Sequence, residues 1–189
     1  MKTGLFFGSF NPIHIGHLAI ANYMVEYGGV DQVWFIVSPQ NPFKNDDELL
    51  DNQQRLSMVT LAVKDDDRFR ACDIEFGLPT PSFTINTLNS LENLFPDNEF
   101  ILIMGADNFV NFHKWKDFYK IARDYELLVY PRPGYDTKNV GFPCRYSLVN
   151  SPLMEISSTF IRNALNEKRN IMHFLPPGVW DYIQTNNLY

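Results

Sequence analysis

The stretch Gly8-Ser9-Phe10-Asn11-Pro12-Ile13-His14-Ile15-Gly16-His17 constrains this chain more than any other. An apolar run, Leu5-Phe6-Phe7, leads into it, and a helical pattern from Leu18 to Val25 leads out. A strand that turns through Gly, Asn and Pro into a helix aims the free N–H groups of the first helical turn at an anion. His14 and His17, at the helix mouth, add two donors whose charge changes near neutral pH. Gly16 between them leaves room for a ligand to approach the backbone. Taken alone, the stretch is equally compatible with an ordinary strand-to-helix connection carrying two surface histidines.

The rest of the chain repeats the same strand-then-helix alternation. Val33–Val37 reads as a buried strand ending at Ser38-Pro39, and Phe69–Phe76 as a further strand. Asp51–Val63 reads as a helix capped by Asp51, with Leu56, Val59, Thr60 and Val63 on one face. Thr84–Phe95 is a second helix, and Phe100–Met104 and Glu126–Tyr130 are buried strands. Pro131–Pro143 is a loop, because strand-like Tyr146–Val149 resumes at once. Helices over Ser158–Asn166 and Val179–Thr185 close the chain. This order predicts a doubly wound, mostly parallel α/β sheet in a single domain spanning residues 1–189. Ligands of such sheets bind beyond the C-terminal ends of the strands. The Gly8–His17 turn, Pro39–Lys44, Gly105–Asp107 and Pro131–Gly134 each follow a strand, so they are expected to meet along one edge.

Charge narrows the partners. With 22 acidic against 16 basic residues the net charge is −6, which argues against a nucleic-acid polymer. A small anionic ligand stays compatible, since a few convergent donors suffice to hold a phosphate. Cys72 and Cys144 lack metal-ligand spacing and are too few for a disulfide scaffold. No cluster of Asp, Glu, His or Cys has the spacing of a protein-built metal site. The N-terminus carries no leader-like segment and no run approaches a membrane span, so a cytoplasmic, membrane-free protein is expected. The oligomeric state is left open, a homo-oligomer included.

The Gly8–His17 stretch resembles the signature of the nucleotidyltransferase superfamily, whose His-x-Gly-His element holds the phosphates of ATP or CTP. A second element of that superfamily is matched by Ile156-Ser157-Ser158-Thr159-Phe160-Ile161-Arg162. Gly105-Ala106-Asp107-Asn108 with downstream Trp115, the segment Pro81–Leu88, Arg132-Pro133-Gly134 and the tail from Leu175 resemble the bacterial nicotinate-nucleotide adenylyltransferases. This resemblance covers essentially the whole chain and implies a Rossmann-like nucleotidyltransferase fold. It implies transfer of the adenylyl group of ATP to nicotinate mononucleotide, with release of pyrophosphate, in NAD biosynthesis. Mg²⁺ is implied as an ion carried by the ATP phosphates.

Carried over by position, the resemblance assigns catalysis to His14, His17, Lys44 and Arg162. It assigns ATP to Gly8, Ser9, Phe10, His14, Gly16, His17, Gly105, Asp107, Arg132, Ile156, Ser157, Ser158 and Arg162. It assigns the mononucleotide to Ser9, Lys44, Phe83, Thr84, Trp115 and Lys116, with Trp115 stacked on the pyridine ring. Ser157–Thr159 also suit a helix cap, Asp107 a cap, and Trp115 a core anchor beside Phe109, Phe112 and Phe118. Two positions depart from the family pattern. Phe43 replaces the histidine of a Pro-Pro-His-Lys run, and Phe7 replaces the first of two glycines. Either that histidine is dispensable or catalysis is weakened. The sister pantetheine-phosphate adenylyltransferases share the two phosphate elements but not the Gly105–Trp115 region. A non-catalytic nucleotide-binding protein is the remaining alternative, and Phe43 is its only support.

Overall fold

The computed structural model describes residues 1–39, 49–137 and 141–189. Six strands form one wholly parallel sheet: β1 (Lys2–Gly8), β2 (Gln32–Val37), β3 (Phe69–Cys72), β4 (Glu99–Gly105), β5 (Glu126–Tyr130) and β6 (Arg145–Leu148). Their spatial order is β3-β2-β1-β4-β5-β6, which reverses between β1 and β4. Parallel neighbours require crossovers, which α1 (Ile15–Tyr27), α2 (Asn52–Val63), α3 (Thr84–Leu94), α4 (Ala106–Val110) and α5 (Phe118–Asp124) supply as far as β5, while α6 (Ser158–Asn166) and α7 (Val179–Thr185) follow β6 and add to the cover of one face. Among the described residues no helix is long and apolar enough to cross a membrane. Cys72 is buried, Cys144 half-buried, and neither is paired.

Strand alternation divides the core in two. Leu5 pairs in register with Trp34 and Leu102, and Leu102 with Leu127; all four face α3, α4 and α5. One residue on, Phe6 pairs with Phe35 and Ile103, and Ile103 with Leu128, all packed under α1, α2, α6 and α7. Each such fully buried side chain contributes about 1.5–3 kcal/mol, so shifting a central strand by one residue would exchange the two faces at prohibitive cost. The reversal between β1 and β4 leaves a crevice beyond their C-terminal ends, where the Gly8–His17 turn and Gly105 emerge.

Three segments differ from the sequence expectation. The expected strand Phe69–Phe76 stops at Cys72, and Ile74–Gly77 winds into a 3-10 turn that buries Glu75. Between β4 and β5 the chain forms α4, a 3-10 turn over Phe112–Lys114 and α5, each too short to show a helical period. The sheet is parallel throughout because β6 returns beside β5 in the same direction.

Candidate active site

The N-cap of α1 is His14, in extended backbone geometry, and no acidic residue occupies the first turn of the helix. His14 is buried, and its imidazole stacks on that of His17 with centroids 3.8 Å apart. The His14 backbone N–H donates to His17 Nδ1 at 3.2 Å, and the His17 N–H donates to the His14 carbonyl at 2.9 Å. As an acceptor, Nδ1 obliges the neutral His17 ring to carry its proton on Nε2. His17 also packs edge-on against Phe10 and Phe6, so its orientation is set on two sides. Burial, assisted by the Arg132 charge, lowers the His14 pKa to about 4. His14 Nδ1 is buried without a hydrogen-bond partner. A Cβ at Gly16 would lie 3.0 Å from that nitrogen, so a side chain there would press the His14 ring out of its place over the first turn. At Gly8 an added Cβ would meet the Phe10 ring at 2.9 Å.

The Ile156–Arg162 segment closes onto the Gly8–His17 turn. Ser157 caps α6, its Oγ accepting from the Phe160 N–H at 3.2 Å. Ser158 Oγ donates to the Pro12 carbonyl at 2.9 Å, and Arg162 Nη1 donates to the Asn11 carbonyl at 3.0 Å. These residues sit one turn apart on α6, so one helix face clamps two successive carbonyls of the turn. Ile156 approaches Gly16, its Cβ 3.7 Å from where a Gly16 Cβ would stand. The serines thus act as cap and as cross-link, roles that sequence could not separate.

From the other side of the crevice come Gly105, Asp107 and Arg132. Gly105 is the N-cap of α4, which corrects the expectation that Asp107 caps; Asp107 lies in the first turn. Asp107 Oδ1 and Arg132 Nε are 3.8 Å apart, and both atoms are buried without a hydrogen-bond partner. A side chain on Gly105 would collide with Asp107 Oδ1 and lie 3.2 Å from Arg132 Cγ. Arg132 Nη1 also reaches the Met154 carbonyl at 3.4 Å. Beside this pair a cavity of about 170 Å³ opens between the ends of β5 and β6, lined by Ala106, Tyr130, Tyr135, Leu148 and Asn150 among others.

The expected mononucleotide residues form a separate group. Lys116 Nζ sits 4.5 Å from the centroid of the Phe83 ring, joining the Trp115 segment to the Pro81–Thr84 loop. Trp115 is half-buried and meets Phe112 edge to face at 5.3 Å, so it is partly anchor and partly available surface. Lys114 Nζ is held by Asn111 Oδ1 at 2.7 Å. Thr84 opens α3; the Asn86 N–H donates to the carbonyl of the N-cap Phe83 at 2.9 Å, and the N–H groups of Thr84 and Ile85 precede it in the first turn. Ser9 directly follows β1 in the Gly8–His17 turn. Lys44, with Phe43, lies outside the described residues.

Four residues to which the sequence reading gave no role of their own tie these pieces together. Arg55 is fully buried, and its guanidinium donates to the carbonyls of Ser9 and Ser38 (both 2.7 Å), Leu50 (2.9 Å) and Pro39 (3.2 Å). Tyr189 Oη donates to Asn11 Oδ1 at 2.7 Å, which also accepts from the Leu50 N–H at 3.3 Å. Glu75 accepts from Thr87 Oγ1 at 2.6 Å, and burial pushes its pKa up. Arg55 was detectable as a lone cation on the apolar face of α2; Asn11 and Tyr189 lay within the matched turn and tail, which did not show that they bond to each other, and Glu75 gave no signal.

Comparison with known proteins agrees with this geometry. A family signature described as cytidylyltransferase-like matches residues 5–164. A protein of Bacteroides thetaiotaomicron named "Probable nicotinate-nucleotide adenylyltransferase" is 50% identical over 97% of this chain and 91% of its own length. A protein of the same name from Flavobacterium psychrophilum is 50% identical over 100% of this chain and 99% of its own. Among solved structures, the nicotinic acid mononucleotide adenylyltransferase of Plasmodium falciparum, complexed with NaAD, superposes with a TM-score of 0.82 at 21% identity, covering 100% of this chain and 97% of that one. At that identity the likeness speaks for the fold.

Proposed function

The chain belongs to the nicotinate-nucleotide adenylyltransferases of the cytidylyltransferase-like family, and we propose that it transfers the adenylyl group of ATP to nicotinate mononucleotide. The products are nicotinate adenine dinucleotide and pyrophosphate. The observation that carries the reading is the clamp of Ser158 and Arg162 on the Asn11-Pro12 carbonyls, which brings both phosphate elements to the β1/β4 crevice. A phosphate oxygen of the mononucleotide attacks the α-phosphorus; the bond from that phosphorus to the oxygen bridging to the β-phosphate breaks, and pyrophosphate departs. The attacking monoester is already ionised at neutral pH, so no side chain need remove a proton. What the protein supplies is alignment and stabilisation of charge on the leaving group.

The roles proposed for the site residues are those the family resemblance implies, supported where the residue is described by its place in the crevice. His17, protonated on Nε2, and His14 donate to the triphosphate at the mouth of α1, where the helix N–H groups add to them. Arg162 and Lys44 supply fixed positive charge. Gly8, Ser9, Phe10 and Gly16 shape the turn under the phosphates, and Ile156, Ser157 and Ser158 close it. Gly105, Asp107 and Arg132 take the ATP ribose side, where Asp107 Oδ1 and Arg132 Nε face each other at 3.8 Å without a hydrogen bond. Phe83, Thr84, Trp115 and Lys116 take the pyridine half, Trp115 offering its exposed face to the ring. ATP enters with Mg²⁺ on its phosphates, an ion that keeps most of its waters and needs few protein ligands. Incubation of the purified protein with ATP and nicotinate mononucleotide tests the reading; pyrophosphate release supports it, and none from nicotinate or nicotinamide mononucleotide refutes it.

A further inference from the structure

The two halves of the site hang on one buried polar chain. Glu75 lies in the 3-10 turn between β3 and α3 and is 2% exposed. On one side it accepts from Thr87, in the first turn of the helix that begins at Thr84. On the other, the Ser38 and Ser82 hydroxyls lie against its carboxyl and temper the effect of burial. Ser82 is the neighbour of Phe83, and Ser38 closes β2. The Ser38 carbonyl accepts from Arg55 Nη1, the same nitrogen that donates to the Ser9 carbonyl. From the Pro81–Thr84 loop to the triphosphate turn, then, contact runs unbroken through Glu75, Ser38 and Arg55.

We propose that Glu75 is a positioning residue that sets the mononucleotide loop at a fixed distance from the triphosphate turn. The proposal rests on the adenylyl-transfer reading above. Among the described residues no cation pairs with the Glu75 carboxyl, a costly burial, and an apolar side chain would fill the same space more cheaply. What an apolar residue cannot do is hold hydroxyls from three separate segments in one arrangement. One capacity is still unmet: Glu75 Oε2 and Ser82 Oγ are both buried without a partner in hydrogen-bond geometry. A small settling of the loop onto the mononucleotide joins them, with Ser82 donating to Oε2. The carboxyl thereby favours the substrate-bound position of Phe83 and Thr84.

Glu75→Ala, Glu75→Gln and Ser82→Ala, assayed with both substrates and by backbone amide exchange over residues 81–87, test this. Glu75→Ala raises KM for the mononucleotide about 10-fold and KM for ATP less than about two-fold, the loss of one or two buried hydrogen bonds. Amides at Phe83 and Thr84 exchange faster, while those of β1 do not. Glu75→Gln, which still accepts from Thr87 and offers an amide to Ser82, restores KM to within about three-fold. Ser82→Ala, a small change in the loop, raises only the mononucleotide KM and stands in should Glu75→Ala fail to fold. Unchanged exchange at Phe83 and Thr84, or equal rises in both KM values, overturns the proposal. A wild-type protein that turns over neither mononucleotide overturns the functional reading instead, and the exchange measurement still decides the role of Glu75.

Discussion

His14 and His17 stack face to face at 3.8 Å, yet only His17 has its proton placed by the backbone. Its Nδ1 accepts from the His14 N–H, which leaves Nε2 as donor. His14 is neutral across the physiological range because burial disfavours its cation. Two imidazolium charges at that separation would repel, and the lowered His14 pKa removes the conflict while the site is empty of anions.

Stability therefore depends on pH through His14. Its folded pKa, about 4, is below the unfolded value of 6.5, so the unfolded chain binds the proton more readily between them. The contribution is full above pH 6.5 and is lost as pH falls towards 4. Between pH 7.5 and 5 it amounts to about 2 kcal/mol. Urea unfolding at the two pH values measures it, and His14→Gln flattens that part of the dependence.

Binding of ATP reverses the balance at the same ring. Triphosphate charge beside the α1 mouth favours the imidazolium, so the His14 pKa rises on binding. Titration calorimetry with a non-transferable ATP analogue at pH 6.5, in buffers of different ionisation enthalpy, reads net proton uptake. His14→Gln reduces that uptake.

His17→Ala lowers kcat by about 10²–10³, the usual cost of one donor aimed at developing charge. The edge-on contacts to Phe6 and Phe10 disappear too, costing about 0.5–1.5 kcal/mol each, so thermal unfolding and kcat should be recorded together. A folded variant with undiminished kcat would remove His17 from the reaction.

Arg162→Ala breaks the clamp on the Asn11 carbonyl and withdraws a fixed charge. Loss of a charge-assisted hydrogen bond costs about 1.5–3 kcal/mol, so Kd for ATP rises roughly 10- to 100-fold and kcat falls with it. Calorimetric titration of ATP checks this. An unchanged Kd would reduce α6 to a capped helix with a surface arginine.

Acid is preferred over amide at the pyridine. The N–H groups of the α3 first turn and those just after Trp115 donate only, so an amide NH₂ facing them is left unpaired, at about 1–3 kcal/mol. kcat/KM for nicotinate mononucleotide exceeds that for the nicotinamide form by about 10-fold or more. Lys114→Ala, where Nζ is already bound to Asn111, keeps that ratio. Lys116→Ala frees the Phe83 ring and raises KM for both nucleotides without changing it. Trp115→Ala weakens both alike. Equal kcat/KM values would refute backbone recognition.

The sequence alone determined the α/β architecture, the strand-turn-helix at Gly8–His17 and the capped helix α6 with Ser158 and Arg162 on one face. Each is written in local chemistry: apolar runs at strand length, a Gly/Asn/Pro turn, a serine cap followed one turn later by Arg162. Helix bounds at Ser158–Asn166 and Val179–Thr185, and the strand Glu126–Tyr130, were legible to the residue for that reason. The α4 and α5 helices were not, because the segment from Ala106 to Asp124 is broken into short turns held by the aromatic packing of Phe109, Phe112 and Phe118 rather than by a local pattern. Tertiary structure alone decided which polar residues lie inside. Nothing in the order of residues distinguishes Glu75 from a surface carboxylate or Tyr189 from a loose terminus. Burial and hydrogen bonding join residues as far apart in sequence as Asn11 and Tyr189, and only the folded sheet brings those partners within reach.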